Sequence, residues 1–87
     1  MKPPDVAPGD VVVSRAGRDA GRPFVVLSLP EPDYALLADG KLRTLEKPKR
    51  KKLRHTQSAH LAIPEESMRT DADIRKALSA AMPEKEG

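Results

Sequence analysis

Eighty-seven residues allow one small domain with a modest core, and the absence of cysteine excludes disulfides and thiolate metal sites. No apolar run approaches the roughly 20 residues of a membrane span, and the opening MKPPDVAPGD lacks a signal peptide's apolar stretch. The expectation is a soluble, cytoplasmic protein with no membrane partner. Its charge of +3 is unevenly spread. Residues 1–40 carry four Lys/Arg against six Asp/Glu (−2), residues 41–54 eight against one (+7), and residues 55–87 four against six (−2). So concentrated a positive segment points to a polyanionic partner.

Residues 1–8 hold three prolines and read as a flexible lead-in. Residues 9–55 have the pattern of a β domain, and residues 56–87 that of an extension carrying a helix. After the Pro8-Gly9-Asp10 turn signal, β-branched Val11 to Val13 open a first strand over about 11–14. A second strand follows at about 24–29. Pro30-Glu31-Pro32-Asp33 reads as a loop, because neither proline fits a paired central strand. Tyr34 to Ala38 form a third strand. Asp39-Gly40 is a hairpin signal leading to a fourth at about 41–45, and a fifth lies near 51–54. Four or five short strands with tight turns imply a mainly β fold, a small SH3-like antiparallel barrel. Residues 56–69 read as polar and irregular, with one helical turn near Pro64-Glu65-Glu66. Thr70-Asp71-Ala72-Asp73 fits a capping box opening a helix over about 71–82. Ile74, Ala77, Leu78 and Ala81 share one face of it, and Pro83 ends it.

The first two strands enclose SRAGRDAGR. Gly17 and Gly21 let the backbone turn where a side chain would clash. Arg15, Arg18 and Arg22 put planar, permanently charged forks on the same loop, the geometry that phosphate recognition favours. The stretch GDVVVSRAGRDAGRPFVVLSL resembles the KOW motif of ribosomal and transcription-factor proteins. Together with LADGKLRTLEKPKRKKLRH and TDADIRKAL it is similar, over about residues 7–79, to small bacterial KOW-domain RNA-binding proteins. Those are in turn similar to a group of archaeal and eukaryotic large-subunit ribosomal proteins. One departure is that many KOW motifs have a further glycine before the second strand, where this chain has Pro23-Phe24. That favours the ribosomal-protein-like branch over the transcription-elongation one. The resemblance implies an SH3-like barrel that binds structured RNA, foremost ribosomal RNA, with the ribosome as a possible assembly.

The basic segment supplies Lys41, Arg43, Lys47, Lys49, Arg50, Lys51, Lys52 and Arg54 as candidate RNA-binding residues, with His55 directly after them. With Leu53 pointing inward, two-residue alternation puts Lys49 and Lys51 on its side. Arg50, Lys52 and Arg54 then form an outward ladder along a phosphate backbone. His55 and His60 are too few for a metal site. No serine-histidine-acid set and no phosphate-cradling Gly-Lys motif occurs, so neither catalysis nor a cofactor is expected. Phe24 reads as core and Tyr34, which starts its strand, as core or surface. With only these two aromatics, RNA would be held by backbone and shape rather than base stacking. The expected protein is a monomeric RNA-binding module. Its rivals are a protein-interaction module of the translation or transcription machinery, using the Ile74/Leu78 helix face, and a non-specific DNA-binding basic barrel.

Overall fold

The computed structural model describes residues 6–82. The expected helix stop at Pro83 and most of the expected lead-in lie outside the described residues. Five antiparallel strands form one sheet: β1 (Asp10–Ser14), β2 (Pro23–Glu31), β3 (Tyr34–Ala38), β4 (Lys49–Lys52) and β5 (Thr56–Ala62). The helix α1 (Asp71–Ala81) follows, and short 3-10 turns occupy Leu53–His55 and Glu65–Met68. The strand order is β4-β3-β2-β1-β5, so the sheet is open, with β4 and β5 at its edges.

The continuous apolar runs of β1 and β2 have a direct cause: both sheet faces are covered there. Val11, Val25 and Ala38 pack with Ile63 and with Ile74 and Leu78 of α1. On the opposite face Val12, Phe24, Val26, Ala35 and Leu37 close over Leu53. Each of the valine, leucine, isoleucine and phenylalanine side chains, fully buried, contributes roughly 1.5–3 kcal/mol. At 11 residues, α1 is too short to be stable alone, and the buried Ile74 and Leu78 hold it. Its N-cap is the expected one, with the Asp73 N–H donating to the Thr70 hydroxyl at 3.1 Å.

Four expectations are corrected. Residues 41–45 form no strand. The Asp39 carboxylate instead accepts from the backbone N–H groups of Lys41 (2.9 Å) and Arg43 (3.0 Å). The N–H groups of Asp39 and Gly40 both donate to the Arg43 carbonyl. An Asx-type turn has thus taken the donors that a ladder would need. The strand beside β3 is β4, starting two residues before the expected 51–54, and the 3-10 turn takes Arg54 out of the ladder. Residues 56–62, expected to be irregular, pair with β1 and carry the sheet past residue 55. This strand is mostly exposed and lies at an edge, so it carries no apolar alternation to read. Finally, β2 runs through Pro30, which is tolerated because the register with β3 breaks between Ser28 and Glu31.

Gly40 joins the sheet to the helix. It is buried at φ +79°, and a Cβ there would overlap the Asp71 carbonyl and come within 2.9 Å of Arg75 Cγ. Gly21 also has positive φ, as its place in the loop suggests, but a Cβ there meets nothing within 4 Å. The two glycines should therefore respond differently to alanine. Gly21→Ala should lose about 1–2 kcal/mol, the cost of the left-handed conformation alone. Gly40→Ala adds displacement of backbone and should cost clearly more. Urea unfolding of both variants measures the difference, and equal losses would contradict it.

Candidate nucleic-acid interface

The β1–β2 loop is closed by bonds between Ser14 and its far end: Gly21 N–H to Ser14 O at 2.8 Å and Ser14 N–H to Arg22 O at 3.0 Å. Gly17 (φ +83°) and Gly21 (φ +88°) supply the two positive-φ positions. Within this frame Asp19 points into the protein, while Arg15 and Arg18 are exposed and Arg22 is half-buried. The Asp19 carboxylate takes the Ser14 hydroxyl at 2.8 Å, Lys49 Nζ at 3.1 Å and Lys51 Nζ at 3.2 Å. Lys51 Nζ also donates to the Ala16 carbonyl at 3.0 Å.

Two-residue alternation along β4 sorts its four cations as expected. Lys49 and Lys51 lie opposite Leu37 and Ala35 and share their inner face. Lys51 is 9% exposed, so its ammonium belongs to the Asp19 cluster. Arg50 and Lys52 turn outward over Tyr34, at 4.1 and 5.9 Å from the ring centroid. Arg50 also pairs with the exposed Glu31. Tyr34 is half-buried beneath these two cations, a contact absent from the sequence reading because it depends on the Tyr34–Lys52 register.

The remaining candidates fall into two groups. Arg54 is exposed on the 3-10 turn, and the neighbouring His55 carbonyl accepts the Arg15 N–H at 2.8 Å, which brings this turn beside the arginine loop. Lys41, Arg43 and Lys47 are exposed on the loop between β3 and β4. That loop is fastened to α1 by the Leu45 N–H donating to Asp71 at 2.8 Å, and by Arg75 Nη1 donating to the Gly40 carbonyl at 2.6 Å. A groove of about 660 Å³ runs beside α1, lined by Arg22, Lys41 and Arg75 with Leu61, Leu78 and Met82. Among the described residues, no three His, Asp or Glu side chains gather as a metal site. None of Arg15, Arg18, Arg22, Lys41, Arg43, Lys47, Lys52 or Arg54 pairs with a carboxylate of the described residues. Comparison with protein-family models and with curated proteins returns no match.

Burial raises the Asp19 pKa, but the Ser14 hydroxyl and the two lysine ammoniums outweigh it and bring the carboxyl down to about 2. The native state therefore favours the ionised form. Its contribution is complete above the unfolded value of 3.8 and is lost as pH falls through about 2. Asp19→Asn should cost about 2 kcal/mol at neutral pH, or more because Lys51 is left buried without its counter-charge. The gap between parent and variant should narrow between pH 4 and 2. Denaturant unfolding across that range is the measurement, and a pH-independent gap would remove the carboxylate from this role.

Proposed function

We propose that the chain is an RNA-binding protein that docks on structured RNA, ribosomal RNA foremost, through a surface of unpaired cations. The sheet is read as an SH3-like barrel of KOW type. The order β4-β3-β2-β1-β5, a core on each face and the glycine-and-arginine loop between β1 and β2 support that reading.

The observation that carries the function is how the charges are sorted. Asp19 and Asp39 are turned inward and bound by internal donors, and exposed Glu31 is taken by Arg50. Glu46 is the acid left exposed on the loop that bears Lys41, Arg43 and Lys47. Arg15, Arg18, Lys41, Arg43, Lys47 and Arg54 are exposed and have no carboxylate partner among the described residues. A merely solvated face would intersperse both signs. A face on which six unpaired cations outnumber the exposed acids Glu31 and Glu46 keeps a positive potential for phosphates. Phe24 is buried and Tyr34 is covered by Arg50, so no free aromatic platform faces outward among the described residues. Recognition thus rests on phosphate contacts and RNA shape. The apolar floor of the groove beside α1 favours a second reading, as a module for a protein partner. RNA that co-purifies and is lost on nuclease treatment separates the first reading from the second.

With about six phosphates neutralised, log affinity should fall with log salt at a slope of roughly −4 to −5. Replacing Arg15, Arg18 and Arg54 together by Gln should reduce that slope by about 2–3 and leave the circular dichroism unchanged. Titration of a structured ribosomal RNA fragment by filter binding at several salt concentrations gives both numbers. A parent slope near zero would sink the electrostatic mechanism.

A further inference from the structure

Leu42 is 71% exposed, far above Leu61 at 40% and Leu29 at 36%. A single exposed leucine needs no explanation by itself. The mounting of this one does. It stands in the turn that Asp39 ties through the N–H groups of Lys41 and Arg43, closed again by the Arg43 carbonyl. Arg75 holds the turn from one side at Gly40, and Asp71 holds the loop at Leu45. Leu45, the loop's other leucine, packs against the core on the α1 side, so Leu42 belongs to no larger apolar patch of this loop. Its immediate neighbours are the exposed cations Lys41 and Arg43.

A rigid mount lowers the ordering cost of whatever contact the side chain makes. An apolar tip between two cations suits a place where phosphates flank a gap in the base stack. Uniform A-form duplex offers no such place. Its major groove is too deep and narrow for side chains, and its minor groove presents hydroxyls that a leucine cannot satisfy. An unpaired or weakly stacked step does admit an apolar wedge. We propose, resting on the RNA-binding reading above, that Leu42 is a wedge directing the protein to RNA interrupted by a bulge or internal loop, with Lys41 and Arg43 taking the adjacent phosphates.

The experiment compares the full chain on two RNA probes, a fully paired duplex and the same duplex interrupted by a bulge. The parent should prefer the bulged probe. Leu42→Ala should lose that preference by roughly tenfold, the order expected for one withdrawn leucine. Its melting temperature and salt slope should match the parent's. Leu42→Phe should retain the preference. Lys41→Gln with Arg43→Gln should weaken both probes alike and flatten the salt slope. If the parent binds both probes equally, or Leu42→Ala keeps the preference, the wedge is overturned and the RNA reading stands. If the parent binds neither probe, both fall together.

Discussion

The fold depends on one inward-facing carboxylate, that of half-buried Asp19. β4 must lie beside β3, yet its inner face carries Lys49 and Lys51 where a hydrophobic lid would be expected. Their stems can cover apolar neighbours, but the ammonium of Lys51, on a side chain only 9% exposed, needs a counter-charge. Asp19 supplies it from the β1–β2 loop, 32 residues away. The same contact fixes the loop, because Asp19 cannot reach Lys51 unless the turn is drawn in and Ser14 braces it. Arg15 and Arg18 are thereby left facing outward. A single ion cluster thus settles the sheet edge, the loop shape and the direction of the exposed charge.

A second pair of ties works on the other side of the molecule. Asp71 and Arg75 project from the first turns of α1 and take the Leu45 N–H and the Gly40 carbonyl. Buried Gly40 lets the helix come close enough for both. These contacts substitute for the ladder that residues 41–45 do not form. They also make the helix part of the basic surface, since movement of α1 would release the loop bearing Lys41 and Arg43. An 11-residue helix held by two buried side chains is therefore coupled to the site.

What was legible in the sequence follows from where order is encoded locally. Val11 to Val13, Phe24 to Leu27 and Tyr34 to Ala38 are apolar because they are central and covered. Thr70 announces its helix because a cap is a contact over three residues. β5 was invisible because an exposed edge strand is paired by its neighbour's free backbone, which its own side chains do not report. Asp39-Gly40 misled because the signal of a tight turn does not say whether strand or side chain takes the next N–H groups. In the site, the alternation of β4 was readable and the partners were not. Tyr34 under Arg50 and Asp19 under Lys51 are pairings of distant positions, and one sequence does not reveal register.

The cations can be ranked by what each would give up on meeting a phosphate. Buried Lys51 would have to leave the half-buried Asp19 carboxylate and a carbonyl, and breaking a fully buried pair costs about 3–5 kcal/mol, the upper bound here. A phosphate contact does not repay that loss, so Lys51 serves the fold. Arg50 would exchange the exposed Glu31 and the face of Tyr34, together worth on the order of 1–2 kcal/mol. Its net gain would be small, and it would uncover a ring on which a base can stack. Arg15, Arg18, Lys41, Arg43, Lys47 and Arg54 give up only hydration and condensed anions. On the RNA-binding reading, the affinity should therefore reside in these six, spread over two braced loops and one turn, rather than in the unbroken run Lys49–Lys52 of β4.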